Sequence, residues 1–222
     1  MAISVTFSEL RDLYWKYYIS LEDQFMETAR YVEFDYINNG KTYSLEYLKL
    51  FQAVCSEIDI VGKALASYLN DSFKPTKNTG INEWWYFITQ EDPTLKERVC
   101  NLLGKHDLKP WFGYSVMRND RIGAKKYILD ERCKPKSKTP SWWNDYNSVK
   151  HNRTGRFEKR STNYAKANLR NLFLAFSGLY SLEVKLMETA YMHGETMTST
   201  DLESRLFLED LPFYTHLLRV GC

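Results

Sequence analysis

The chain has 222 residues, of which 44% are hydrophobic and 26% charged, with 10 Gly, 6 Pro and a formal net charge of +2. That balance belongs to a folded globular protein and excludes a collagen-like, low-complexity or disordered chain. The apolar runs are short and carry charges, and residues 1–15 have no basic head, long apolar run or cleavage site, so neither a membrane span nor a secretory signal is expected.

From Phe7 to about Tyr36, Leu10, Leu13, Tyr14, Tyr17, Tyr18, Leu21, Phe25 and Ala29 recur at helical spacing, which predicts a long amphipathic helix with Ser8 as its N-cap. Asn38-Asn39-Gly40 is a stop. A second helix is predicted from Ser44 to about Asn70, with Tyr47, Leu48, Phe51, Val54, Cys55, Ile58, Val61, Leu65 and Tyr68 on its apolar side. Asn70 to Gly80 reads as a loop, Asn82 to Ile88 as a shorter helix, and Leu95 to Leu103 as another helical piece ending at Gly104. His106 to Thr139 has weak periodicity and holds Pro110, Gly113, Gly123 and Pro135; it reads as a long irregular insertion. Thr139-Pro140 starts a further helix, with Thr139 as cap and Pro140 in the first turn, carrying Trp142, Trp143, Tyr146 and Val149 and ending by Gly155. A final long helix runs from about Thr162 to Met192, and Asp201 to Leu218 reads as a terminal helix broken at Pro212. No useful β-alternation and no internal repeat is present. The expected fold class is all-α: a helical bundle with four principal helices, a long irregular insertion and a short C-terminal helical appendage.

Charge is distributed unevenly. Residues 118–160 hold 13 bases against 5 acids, while residues 1–60 hold 10 acids against 5 bases. A concentrated basic stretch attracts polyanions, nucleic acid above all, although a solvated basic loop gives the same composition. The four cysteines, Cys55, Cys100, Cys133 and Cys222, lie far apart with no paired His; no zinc site or other cofactor is expected, and reduced thiols in a cytoplasm are the default. Glu57 and Asp59 read as solvated or salt-bridged acids before they read as a site. His106, His193 and His216 are isolated and read as surface or capping residues.

The segment Tyr146-Asn147-Ser148-Val149-Lys150-His151-Asn152-Arg153 is the exception. Asn147 and His151 are one helical turn apart and share a face, with Lys150 bordering it. An imidazole can move a proton to or from a ribose 2′-hydroxyl or a leaving oxygen. An amide can orient it, and the cations Lys150 and Arg153 can stabilise charge on phosphoryl oxygens. The competing reading has Asn147 and His151 tying the helix to the adjoining loop, with Lys150 and Arg153 as plain surface charges.

This segment, set before a long apolar helix in an all-α chain, resembles the HEPN superfamily of nucleases and toxins. That family carries an Arg, a polar residue, and a His a few positions on; here Tyr146-Asn147, three residues and His151 match the polar residue and the His, and Tyr146 stands at the Arg position. The resemblance implies a four-helix bundle over residues 1–192, interrupted by 106–139, with 193–222 as a C-terminal helical extension. It also implies a homodimer that brings two motifs into one cleft. The activity implied is RNA binding with metal-independent endoribonuclease chemistry, in a cytoplasmic, bacterial defence or toxin–antitoxin setting; the alternative is a catalytically inactive interaction module. His151 is the candidate general acid or base, Asn147 its orienter, and Lys150 and Arg153 the phosphate contacts. Arg156, Lys159, Arg160, Lys134, Lys136 and Lys138 extend the basic path.

Overall fold

The computed structural model describes residues 6–118, 127–128, 139–192 and 202–208. The chain is an all-α helical bundle. One helical run starts with α1 (Phe7–Leu10), passes through a π-helical turn (Arg11–Trp15), continues as α2 (Lys16–Glu27) and ends in a 3-10 turn (Thr28–Arg30). Then come α3 (Leu45–Leu69), α4 (Ile81–Glu91), α5 (Ser141–His151) and α6 (Leu169–Met192). Three short antiparallel hairpins join them: β1 (Cys100–Leu102) with β2 (His106–Leu108), β3 (Met117–Arg118) with β4 (Tyr127–Ile128), and β5 (Arg156–Glu158) with β6 (Ser161–Thr162).

The first run departs from its expected register. Thr6, not Ser8, caps it: the Glu9 N–H donates to Thr6 Oγ1, and Thr6 N–H donates back to the Glu9 carboxylate at 2.9 Å, the reciprocal capping box. In the π-turn the Lys16 N–H reaches Arg11 O, five residues back, so one extra residue enters the turn. The buried stripe therefore steps from Leu10 to Trp15 and on to Tyr18, Leu21 and Phe25. Leu13, expected inside, is 64% exposed, and Tyr17 also faces solvent.

The core lies where α3 and α6 pack on each other and on α2, α4 and α5. Ser44, where the helix was expected to start, caps α3 by accepting from the Tyr47 N–H at 3.0 Å. Gly62 lets α4 approach: a Cβ there would meet the Trp84 ring at 2.6 Å. Asn168 caps α6, its Oδ1 accepting from the Asn171 N–H at 3.0 Å. The first two donors of α6 are satisfied by the segment that precedes α3, Leu169 N–H on Thr42 O and Arg170 N–H on Gly40 O.

Three expectations are corrected. Leu95 to Leu103 is helical only at Leu95–Glu97 and then forms β1, because Cys100–Leu102 pairs with His106–Leu108; on its other edge Leu103 N–H donates to Leu206 O and Leu208 N–H to Asn101 O. The same bonds make residues 202–208, read as the start of a terminal helix, a non-helical strap with a bridge from Leu102 to Phe207. The insertion begins ordered. Trp111 is fully buried, stacks on Trp85 at 4.6 Å and donates from Nε1 to Ser181 Oγ at 2.8 Å. Tyr114 also stacks on Trp85, at 5.3 Å. Residues 119–126 and 129–138 lie outside the described residues.

Candidate functional site

Helix α5 presents two faces. Trp142, Trp143, Tyr146 and Val149 are buried. Trp142 Nε1 donates to Pro110 O, and its ring meets Trp111 edge-on at 5.3 Å. Pro140, rather than Thr139, is the N-cap, its carbonyl accepting from Trp143 and Asn144 N–H; the Thr139 hydroxyl instead donates to the Asn144 side chain. The other face carries Asn147 half-exposed, and Lys150 and His151 exposed in the last turn, where cations also complement the helix dipole.

The helix stops at His151. Asn152 turns out of it with φ −148° and ψ 69°, so Arg153 leaves the helical screw that would have carried it round to the far side of His151. The exit is held by other residues. Gly155 N–H and the Asn163 amide donate to Asn152 O, Asn163 N–H donates to Gly155 O, and Tyr164 N–H to Arg153 O. Gly155 is required for this: a Cβ there would meet the Asn152 and Asn163 amides at 2.6–2.8 Å. The β5–β6 hairpin follows, with Arg156 opposite Thr162 and Lys159 and Arg160 at its tip. All four cations, Arg153, Arg156, Lys159 and Arg160, are exposed. Arg156 Nη1 donates to Lys159 O at 3.2 Å. Lys134, Lys136 and Lys138 lie outside the described residues.

Lys150, His151, Arg153, Arg156, Lys159 and Arg160 form no ion pair among the described residues. The neighbouring Lys166 is committed: it binds Asp145 at 3.0 Å and lies over the Phe157 ring at 5.1 Å. Lys150 Nζ sits 5.5 Å from the Tyr146 ring centroid. Tyr146 itself faces inward against Phe51 and Trp143; burial first, then the charges of Cys55 and Asp59, push its hydroxyl up to about 12. No hydrogen bond joins Asn147 to His151 or to the adjoining loop. The tie expected of that pair is made by Asn152 and Asn163, which leaves the motif side chains without a structural task. A groove of about 670 Å³ opens elsewhere, between the end of α2 and the start of α3; neither α5 nor the hairpin lines it.

Three buried acids, Glu22, Glu57 and Glu183, escaped sequence reasoning. Asp59 meets its expectation, paired to Lys63 and accepting from Trp84 Nε1, but Glu57 is buried without a partner. Glu183 on α6 is fully buried, and neither of its carboxylate oxygens has a hydrogen-bond donor. Its signal was present: Leu179, Glu183, Leu186 and Ala190 share the inward stripe. Burial first, and then the charge on Glu57, raises the Glu183 carboxyl well above its ordinary value. Its protonated form is thus the one the fold favours, and the native state holds a proton that the unfolded chain releases. Stability in metal-free buffer is then expected to fall as pH rises beyond the usual carboxyl range. Thermal melts across that range should show a flatter profile for Glu183→Gln, and identical profiles would contradict this. Glu57 and Tyr14 are the titratable groups whose charges couple to Glu183.

Fold and edge together define an all-α bundle protein with a basic, imidazole-bearing rim. Set against protein-family models, curated proteins and solved structures, the chain matches none of them. Among the described residues no helix is long and apolar enough to cross a membrane, and no group of three or more His, Cys, Asp and Glu gathers as metal ligands.

Proposed function

We propose that this chain is a HEPN-like RNA-binding protein whose contact surface runs from the last turn of α5 over the β5–β6 hairpin. One observation carries the reading: within residues 150–160, five cations and an imidazole stand exposed with no acidic partner among the described residues. Such groups displace condensed counterions from phosphates readily, because no internal ion pair has to be broken first. In this reading His151 takes the proton of a ribose 2′-hydroxyl as that oxygen attacks phosphorus, and a second imidazole, supplied by the partner of a homodimer, protonates the leaving 5′-oxygen. Arg153 and Lys150 stabilise the added phosphoryl charge. The cytoplasmic, defence-related setting belongs to the same resemblance.

A ribonuclease assay in chelator tests the chemistry. His151→Ala is expected to lower cleavage by about 10²–10⁴-fold, the usual contribution of a positioned acid or base, with RNA binding changed only a few-fold. Equal cleavage by both proteins removes the catalytic role; absence of RNA binding by the wild type removes the reading altogether. A second reading, an inactive interaction module, is favoured by Tyr146, which fills the family's Arg position with a buried ring. It predicts that the wild type does not cleave.

A further inference from the structure

The basic rim does not end at the β5–β6 hairpin. Tyr164, between the hairpin and α6, donates its N–H to Arg153 O, and its ring meets the Tyr43 ring edge-on at 5.4 Å. Tyr43 in turn pairs with Asn168 in an antiparallel bridge. Two further backbone bonds, Leu169 N–H to Thr42 O and Arg170 N–H to Gly40 O, both 2.9 Å, lay residues 40–43 along the start of α6. The Arg170 guanidinium carbon lies 5.1 Å from the Tyr36 ring centroid. Direct contacts therefore run unbroken from the exit of α5 to Tyr36.

Along this row exposed rings alternate with cations. Phe157 on β5 is 46% exposed and Tyr43 is 50% exposed, so both forgo much of the gain that burying an aromatic ring brings. Both are nevertheless held. Lys166 Nζ lies 5.1 Å from the Phe157 centroid while bound to Asp145 at 3.0 Å, which ties the hairpin ring to the body of the bundle, and Tyr164 braces Tyr43. Arg170 is exposed and forms no ion pair among the described residues. Resting on Tyr36, it keeps its N–H groups for phosphate oxygens. Asp35, next to Tyr36, is already engaged: its Oδ1 accepts from the Ile37 and Asn38 N–H groups at 2.8 Å.

We propose that Phe157, Tyr43 and Arg170 form a track for an unpaired RNA strand, the two rings stacking on bases and Arg170 holding a phosphate. The track rests on the RNA-binding reading above and adds to it the kind of RNA and the residues that grip it. The pairing of rings with cations discriminates between the two forms of RNA. A duplex keeps its bases stacked inside and is met mostly through phosphates and 2′-hydroxyls; lysines and arginines suffice for that, and exposed rings add nothing. An unpaired strand offers the faces of its bases, and stacking on aromatic side chains then adds to the phosphate contacts without selecting a sequence.

Fluorescence anisotropy with three end-labelled RNAs of equal length tests this: an unpaired oligouridine, a duplex, and an unpaired strand lacking its bases. Wild type is expected to bind the oligouridine roughly tenfold or more tightly than either of the others. Tyr43→Ala and Phe157→Ala are each expected to weaken oligouridine binding about tenfold, the order expected for the loss of one stacked base, and to leave the other two affinities within about twofold, while Tyr43→Phe retains wild-type binding. Arg170→Ala is expected to weaken both unpaired strands alike and to reduce the salt slope by about 0.7. Tyr43 and Phe157 are half-exposed, so their variants should melt as the wild type does. Equal wild-type affinity for the three RNAs, or full oligouridine affinity in both alanine variants, overturns the track and leaves phosphate binding at the hairpin standing. A wild type that binds none of the three overturns both.

Discussion

Replacing Arg156, Lys159 and Arg160 together by Glu is expected to lower RNA affinity on the order of a hundredfold at moderate salt. The three side chains are exposed and unpaired on the β5–β6 hairpin, so their charge is available to phosphates. Their loss should also flatten the dependence of log K on log salt by about 2 for a single strand, since each lost phosphate contact removes roughly 0.7 of slope. The fold should survive, because the hairpin's main contacts are backbone bonds to Asn152, Arg153 and Gly155. Lys16 and Lys49 supply the control. Each is paired to an acid on its own helical run, Asp12 at 2.8 Å and Glu46 at 2.7 Å, and their reversal should change affinity only a few-fold. Equal losses in both sets would mean that binding follows net charge and has no seat on the hairpin.

Glu22→Ala should be the most destabilising single change of a charged residue. It removes four hydrogen bonds to a buried carboxylate, leaving the Arg205 N–H without its acceptor and the Tyr18 hydroxyl and Leu206 N–H with Ser204 Oγ alone, and bonds to a charged group of this kind suggest a loss of about 2–3 kcal/mol. The loss has a direction as well as a size. The Ser204, Arg205 and Leu206 donors belong to the strap 202–208, which also bonds to Leu103 and Asn101, so the strap is expected to come free before the bundle melts. Limited proteolysis should cut near Ser204 in Glu22→Ala and spare the wild type, and the melting temperature should fall. Arg205→Ala serves as the comparison: its ion pair with Asp23 is exposed, and exposed pairs contribute little. A Glu22→Ala protein as stable and as protease-resistant as wild type would show that the strap is held by its apolar residues, Leu202, Leu206 and Phe207, alone.

The reading of the α5 rim rests on what the sequence could and could not carry. Asn147, Lys150 and His151 stand one turn apart on a helix, as their spacing implied, because a short helix with one strongly aromatic side has a single way to face a core. Arg153 was less legible. Its position depends on where the helix ends, and that is set by Asn152 and by the bonds Asn163 makes back to it, eleven residues on. The spacing of Asn147 and His151 also suggested a mutual hydrogen bond; none forms, since adjacency on a helix face brings side chains near without aligning donor and acceptor.

By itself the sequence determined the helical class, the extent and inward face of α3, and the crowding of basic residues after Lys150. These follow from local periodicity, capping chemistry and composition, which need no distant partner. Tertiary structure alone decided the rest. The π-turn exchanged Leu13 for Trp15 in the core because the packed bundle, not the 3.6-residue repeat, fixed which side chain filled the space beside Tyr18 and Tyr180. Residues 202–208 became a strap and not a helix because Asn101 and Leu103 offered them backbone partners a hundred positions away.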